Sequence, residues 1–161
     1  MKLLDRLLGR PAPERMAEAF LREARVYVCA QSMTTAGIWI WSEPFAAFDA
    51  DDRDGIALGV RQALAASRSR VHHPHPDWQG VTAPMLKLAD VRSFKAFAKG
   101  ARCVGILLVD DRITFTPTRN GGPKEGFVGL GDKGRAVAFA EADIADELQR
   151  AFADSDDGVA A

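Results

Sequence analysis

Two segments of the chain carry the same spacing of apolar residues, and this spacing predicts two similar helices. Within residues 55–67 and again within residues 143–155, the core-facing positions fall at i, i+4, i+7, i+8 and i+11. These positions are Ile56, Val60, Ala63, Leu64 and Ser67 in the first segment, and Ile144, Leu148, Ala151, Phe152 and Ser155 in the second. Acidic clusters at 49–52 and 141–143 come just before, where carboxylates suit the positive end of a helix. The repetition predicts two halves built on one plan, with coincidence between ordinary amphipathic helices as the alternative.

Runs rich in β-branched and aromatic residues predict strands in front of each helix. The predicted strands span residues 25–32, 37–41 and 45–49 in the first half, and 102–109, 112–118, 127–130 and 135–140 in the second. The connector 33–36 favours a hairpin, and Pro117 favours a sheet edge or a strand end because proline has no N–H to donate. Between the halves, residues 91–99 have the spacing of a short helix.

These elements predict an α+β fold with two antiparallel β-sheet halves, residues 25–68 and 101–155, each followed by a helix. A loop and a helix connect the halves within one domain, 25–155. In front of that domain, residues 1–24 are predicted to be a helical leader. Its main helix spans residues 13–22, with Met16, Ala17, Phe20 and Leu21 on one side and Pro13 in the first turn. The acidic end, residues 154–161, is predicted to fray, with 156–161 as a flexible tail.

Composition points to a soluble, cytoplasmic protein. The chain has 161 residues, of which 47% are hydrophobic and 27% charged, and this suits one domain with its own core. The formal net charge of −1 disfavours a protein that holds nucleic acid through a uniformly basic surface. Cys29 and Cys103 lie in apolar runs and are predicted to be buried thiols. Neither a signal peptide nor a run of transmembrane length is recognisable.

No catalytic motif is recognisable, so the sequence predicts neither an enzyme nor a cofactor. All three histidines, His72, His73 and His75, lie in the connector 69–80 and are weak candidates for metal ligands. No cysteine is near them in sequence and Pro74 restrains local chelation, so a packed loop is the favoured interpretation.

Two groups of residues are candidates for binding a partner. Trp39 and Trp41 share one face of a predicted strand, where they could meet a protein or stack on bases, unless the sheet is covered on both faces. The segment 119–126 is glycine-rich and basic but lacks the spacing of a phosphate-binding loop. The candidate residues are Arg119, Asn120, Lys124, Trp39, Trp41 and Trp78.

Short strings of residues resemble a known family. The first helix, with Ile56, Val60-Arg61, Ala63-Leu64 and Ser67-Arg68, is similar to a pattern in immunity proteins of bacterial contact-dependent growth inhibition systems. The resemblance is to one group of these immunity proteins, the group with a Whirly-like fold. The strand 113–117, which ends in a proline, and the closing acidic turn with its helix extend the resemblance over residues 25–153. The leader 1–24 and the loops 71–80 and 119–126 depart from the pattern.

The resemblance implies a protein that binds and neutralises the C-terminal toxin domain of a large secreted effector, often a nuclease, inside the producing cell. We hypothesise that exposed strand edges accept a toxin segment by strand addition, and that the basic loop speeds association. It implies no membrane partner, and a homodimer formed through the leader stays open. An alternative is binding of single-stranded nucleic acid by a Whirly-like fold, and a third is a metal-dependent enzyme that uses the histidines.

Overall fold

The computed structural model describes residues 13–159, which form an antiparallel β-sheet flanked by helices. The strands are β1 (Arg15–Arg22), β2 (Arg25–Met33), β3 (Trp39–Asp49), β4 (Arg102–Val109), β5 (Arg112–Asn120), β6 (Phe127–Gly129) and β7 (Arg135–Ala138). The helices are α1 (Arg53–Ala66), α2 (Gln79–Leu88), α3 (Phe94–Ala98), α4 (Gly122–Glu125) and α5 (Ile144–Asp154). The strand order is β3-β2-β1-β4-β5, and β6 and β7 pair with successive stretches of β5. The predicted α+β class with antiparallel strands is confirmed.

Both predicted helices of the repeated pattern are present as α1 and α5. Each begins at an aspartate: Asp52 Oδ1 accepts from the backbone N–H of Gly55 at 3.0 Å, and Asp143 Oδ1 accepts from that of Asp146 at 3.0 Å. These bonds satisfy N–H groups that the first helical turn leaves without partners. The acidic clusters in the sequence therefore mark the helix starts correctly. No helix of residues 13–159 has the length and apolar character needed to cross a membrane.

The segment 13–22, predicted as a helix outside the two halves, contains the central strand β1, so that prediction is wrong. β1 pairs antiparallel with β2 on one side and with β4 on the other. Ala17 and Ala19 are buried on one face of the sheet, and Phe20 is buried on the other. A strand buried on both faces loses the alternation of apolar and polar residues, and its pattern then resembles that of a short buried helix. The rest of the predicted leader, residues 1–12, lies outside the described residues.

The first face of the sheet is covered by α1 and α5 and carries the larger core. This core joins small and branched side chains of β1, β2, β4 and β5 to the apolar stripes of the two helices. Its members include Val28, Ile106, Phe115, Ile56, Val60, Leu64, Ile144 and Leu148, all at most 5% exposed. The residues that the periodicity assigned to the helix stripes thus all lie inside, including both serines.

The second face carries a smaller, aromatic core under α2 and α3. Its buried members come from the strands and from the two helices. They are Phe20, Tyr27, Cys29 and Cys103 in the strands, and Met85 and Phe97 in the helices. Phe20 contacts three aromatic rings edge to face, with centroids 5.1–5.4 Å apart. Both cysteines are free and buried, as predicted. The sheet is therefore covered on both faces, but α2 and α3 cover only part of the second.

The ends of α1 and α5 are fastened to the sheet by matching contacts. Ser67 follows α1, where its Oγ donates to Gln31 O at 2.5 Å and accepts from Met16 N at 2.9 Å. Ser155 follows α5, where its Oγ donates to Cys103 O at 3.1 Å and accepts from Thr118 N at 3.3 Å. The two serines that share a place in the sequence pattern therefore share a structural role.

An arginine at the start of a central strand completes each of these junctions. Arg15 Nη1 donates to Ala65 O at 2.7 Å at the end of α1, and Arg102 Nη1 donates to Phe152 O at 2.9 Å at the end of α5. Each arginine thus satisfies carbonyls at the negative end of a helix. The recurrence of these contacts accords with two related halves, while a Whirly-like repeat stays a prediction.

Two predicted strands of the first half are one continuous strand, β3. Its register against β2 shifts between Phe45 and Ser42, so that Glu43 and Pro44 lie in a bulge without partners. Pro117 lies inside β5, where the pairing of β5 changes from β7 to β6, and its carbonyl accepts from Leu130 N at 2.8 Å. Pro117 therefore lies between the stretch of β5 that pairs with β7 and the stretch that pairs with β6, where no backbone N–H is needed for pairing.

Residues 154–159, predicted to fray, are held against the sheet. Asp156 N donates to Thr118 O at 2.9 Å, and the carboxylate of Asp157 lies 3.8 Å from the guanidinium of Arg102. Asp156 and Asp157 thus contact the sheet, while the flexible tail predicted for residues 156–161 stays a prediction; residues 160–161 lie outside the described residues.

We expect Ser67→Ala and Ser155→Ala each to lower the free energy of unfolding by about 1–3 kcal/mol, because each leaves a backbone N–H without its acceptor, part-buried at Met16 and buried at Thr118. Urea denaturation at neutral pH measures the change. Ser69→Ala, at an exposed position, serves as the control and should change it by less than about 0.5 kcal/mol. Equal stability of all three variants would contradict the assigned role of the two serines.

Candidate partner-binding surface

The part of the second sheet face that α2 and α3 leave open forms a half-exposed apolar surface, which we call the tryptophan face. The alternation of side chains along β1 to β4 places one set of residues on it. The set comprises Met16, Glu18, Gln31, Met33, Trp39, Trp41 and Leu107. Gln31 is buried, and the others are partly exposed. By contrast, the first-face residues Ala17, Ala19, Val104 and Ile106 of β1 and β4 are fully buried.

Glu18 is a carboxylate in the floor of this surface, on a central strand. Trp41 Nε1–H donates to Glu18 Oε2 at 2.6 Å, and the side chain of Gln31 is a second hydrogen-bond partner. Removal from water raises the pKa of Glu18 from 4.5 to about 7, although both hydrogen bonds favour the charged form. No ion pair to this carboxylate is found among residues 13–159. Near neutral pH, Glu18 therefore carries a partial negative charge that no cation in this part of the chain compensates.

Gly105 leaves open space beside Glu18. The two residues are opposite each other in the register between β1 and β4, so any side chain at position 105 would lie next to the carboxylate. A Cβ built at Gly105 would meet no atom closer than Thr116 O, at 4.0 Å. Gly105 is itself partly exposed, so the space opens toward solvent. The tryptophan face thus has an unfilled side-chain position next to Glu18, which we call the recess.

A groove of about 580 Å³ adjoins the tryptophan face at Trp41. It runs between the bulge of β3 and the connector that leads into α2, with Glu43 and Asp77 among its lining residues. His72 and His75 also line it, while His73 lies over Trp78 with ring centroids 5.2 Å apart and its Nδ1 is 3.3 Å from Thr34 Oγ1. Within residues 13–159, no cluster of three or more histidine, cysteine or carboxylate side chains could hold a metal ion.

The predicted tryptophans occupy three different environments. Trp41 packs edge to face against Phe20 and Phe97, so its ring belongs partly to the second core. Trp39 is half-exposed on the same face, and Trp78 is 41% exposed at the start of α2. For Trp41, the alternative of a sheet covered on both faces therefore describes the structure better than an outward ring.

The predicted basic turn has mixed roles. Arg119 Nη2 lies 2.7 Å from Glu125 Oε1, and this pairing lowers the pKa of Glu125 and raises that of Arg119. Asn120 is buried, where its Nδ2 donates to Ala98 O at 2.7 Å and to Ala101 O at 3.0 Å. The side chain of Lys124 is exposed. The structure therefore brings Trp39 and Trp41 together, and it places the residues of this turn around β5 and α4.

A second cavity, of about 590 Å³, lies on the first face between α1 and α5. Its floor is apolar and includes Leu21, Val26 and Phe152. The two arginines at its rim are already engaged: Arg53 with Asp146 at 2.6 Å, and Arg102 with backbone carbonyls of α5 and its end. Asp51 and Gln149 also line this cavity, while its two arginines are held by groups of the chain itself.

Glu18 and Gly105 were not singled out from the sequence. The misassigned helix over residues 13–22 hid Glu18, because a glutamate between apolar residues is ordinary on a helix surface. Gly105 stands in a run of large apolar residues, 103–109, where a glycine costs strand stability and packing. That glycine was the one signal in the sequence that could have marked a recess.

Comparison with protein-family models and with curated protein sequences gives no match. Two solved structures share the fold. One is a protein of unknown function from Neisseria meningitidis, at a TM-score of 0.73 and 16% identity, covering 91% of this chain and 98% of that one. The other is from the CdiA-CT/CdiI toxin and immunity complex of Yersinia pseudotuberculosis, at a TM-score of 0.73 and 14% identity, covering 90% and 99%. The resemblance to contact-dependent growth inhibition immunity proteins is thus matched by a likeness of fold.

We expect Glu18→Gln to stabilise the protein at pH 8 by up to about 3 kcal/mol and to leave its stability unchanged at pH 4. The pKa of Glu18 is raised in the folded state to about 7, so between 4.5 and 7 the folded protein keeps a proton that the unfolded chain releases. Stability therefore falls as pH rises through this window, and glutamine removes the effect while still accepting from Trp41. Urea denaturation at pH 4, 6 and 8 measures it. A difference between wild type and variant that does not vary with pH would refute this assignment, and the exposed Glu141→Gln serves as control.

We expect Asn120→Ala to lower the free energy of unfolding by about 1–3 kcal/mol, because backbone carbonyls at the end of α3 lose their donor. Lys124→Ala, in the same turn but exposed, should change it by less than about 0.5 kcal/mol. Thermal and urea unfolding of the two variants side by side provide the comparison. If Asn120→Ala does not change the free energy of unfolding, the assigned structural role is wrong and Asn120 is again a candidate for direct contact with a partner.

Proposed function

We propose that this chain is an immunity protein that binds and neutralises the C-terminal toxin domain of a contact-dependent growth inhibition effector. The observation that carries the proposal is the fold shared with a chain of a toxin and immunity complex over nearly the full length of both chains. The short sequence strings in α1 and β5 point to the same family. The protein acts by occupying its partner, inside the cell that produces both, and needs no cofactor for this.

The tryptophan face is the surface best suited to this role. It combines large aromatic and flexible apolar side chains that are only partly covered, which is the composition of the anchoring part of a protein interface. Carboxylates at Glu18 and Glu43 border Trp41 and add polar recognition. Arg119 and Lys124 lie near α4 and form a second candidate contact for acidic parts of the toxin.

Strand addition at β3 is the binding mode that we propose for this surface. β3 is the outermost strand on its side of the sheet and pairs with β2 alone among the described strands. A toxin segment lying along β3 would gain backbone hydrogen bonds and would pass directly beside Trp39 and Trp41. The bulge at Glu43 and Pro44 limits such pairing to one stretch of the strand at a time.

Binding of single-stranded nucleic acid by the tryptophans has weaker support. Aromatic platforms for bases work together with positive charge that attracts the phosphates. Here Glu18, Glu43 and Asp77 lie around Trp41, so a phosphate backbone on this face would meet like charges.

We expect co-expression of this chain to protect cells from the toxin domain encoded next to its gene, and the two proteins to co-purify. Growth curves with and without this chain, followed by affinity purification of the toxin domain, test both points. Growth arrest despite equal expression, together with failure to co-purify, would refute the proposed function.

Within that complex, Trp39→Ala should raise the dissociation constant by about tenfold or more, because truncating an aromatic anchor exposes its contacts to water. Isothermal titration calorimetry with the purified toxin domain measures the change, and circular dichroism checks the fold. Leu58→Ala removes an exposed apolar side chain from α1, which packs on the opposite face, and should leave affinity unchanged. Equal losses in both variants would contradict a role specific to the tryptophan face.

A further inference from the structure

The recess between Glu18 and Gly105 combines free space with a carboxylate, and a cationic side chain needs both to bind. On one side lies the carboxylate of Glu18 in β1. On the other side lies Gly105 in β4, which has no side chain to fill the space. A carboxylate without a cationic partner beside an unfilled side-chain position reduces the stability of a sheet, because the charge is partly removed from water and packing contacts are lost. Burying Val or Ala at these positions would suit the sheet better, so the arrangement favours a purpose in binding.

We propose that this recess receives a lysine or arginine side chain of the partner protein, whose cationic group pairs with the Glu18 carboxylate. The inference rests on the proposed function for the identity of the partner, a toxin domain. Trp41 is placed to assist: it holds Glu18 Oε2 through its indole N–H at 2.6 Å, and its partly exposed ring can contact the cation or its alkyl stem.

The charges near the recess favour a basic side chain of the partner over an acidic or uncharged one. Glu18 is the carboxylate of the recess itself. The titratable groups that line the adjoining groove are the carboxylates of Glu43 and Asp77 and the imidazoles of His72 and His75. The titratable groups nearest to Glu18 on the neighbouring strands are the thiols of Cys29 and Cys103, and burial raises the pKa of both, so they stay neutral. Within the recess, an incoming guanidinium or ammonium would therefore meet the Glu18 carboxylate and two neutral thiols.

The ionisation of Glu18 gives this binding event a pH dependence. The carboxylate is largely protonated at pH 6 and largely ionised at pH 8, because its pKa lies at about 7. A cation binds the ionised form, so its affinity should rise about tenfold between these two pH values. Glu18→Gln keeps the size and the acceptor for Trp41 but removes the charge, and it should abolish the rise.

A titration with acetyl-arginine amide tests the recess without any toxin. The readout is the NMR signal of the Trp41 indole N–H at pH 6 and pH 8, with acetyl-citrulline amide as the uncharged ligand of the same shape. We expect a saturable shift with arginine, weakened at least about tenfold by Glu18→Gln and by Gly105→Val, which fills the space. Glu141→Gln, an exposed carboxylate remote in sequence, should behave as wild type. Unchanged binding in both recess variants, or equal binding of citrulline, would overturn the inference.

The same variants in the toxin complex separate this inference from the proposed function. Wild-type chain that binds the toxin domain, with a dissociation constant at least about tenfold higher for Glu18→Gln and for Gly105→Val, supports both. Toxin binding that is equally tight in wild type and both variants overturns the inference and leaves the immunity function standing. Absence of toxin binding by the wild type refutes the function, and the arginine titration then decides the recess alone. A Trp41 signal that moves with protein concentration by itself would assign the recess to a second copy of this chain and overturn the proposal.

Discussion

The structure depends on the burial of β1 between two strands and between two layers of helices. β1 uses its backbone donors and acceptors on both sides, toward β2 and β4, and its side chains enter both cores. It joins the two halves of the sheet, since β2 and β3 lie beyond one of its edges and β4 and β5 beyond the other. Its first residue, Arg15, also holds the end of α1. These eight residues therefore connect the two parts of the sheet.

Uneven coverage of the sheet separates stability from binding. On the first face, α1 and α5 enclose a continuous aliphatic core, and their ends are fastened by Ser67 and Ser155. On the second face, α2 and α3 enclose only the aromatic part around Phe20 and leave the tryptophan face half-exposed. A protein that must present an apolar surface can tolerate it when a complete core lies directly behind. The first face thus holds the larger core, and the tryptophan face on the other side is the surface proposed to bind a partner.

Glu18 is a single residue that lowers stability on the face proposed for binding. Its burial costs stability near neutral pH, and the hydrogen bond from Trp41 offsets only part of that cost. The residue therefore contributes less to the folded state than an apolar side chain would in the same place. Unfavourable groups of this kind concentrate at functional sites, where a ligand restores the missing interaction.

The sequence alone determined the elements whose signals are local. The spacing of Ile56 to Ser67 and of Ile144 to Ser155, together with an aspartate before each run, predicted α1 and α5, because helix periodicity and capping act within a few residues. It also predicted most strands and the two buried cysteines. Tertiary structure decided the rest. Residues 15–22 form a strand because they pair with strands on both sides. The ring of Trp41 turns inward because α3 packs against it. The side chain of Asn120 bonds to backbone carbonyls of the chain itself because α3 and residue 157 lie next to it. Each of these outcomes depends on chain segments distant in sequence, which local patterns do not record.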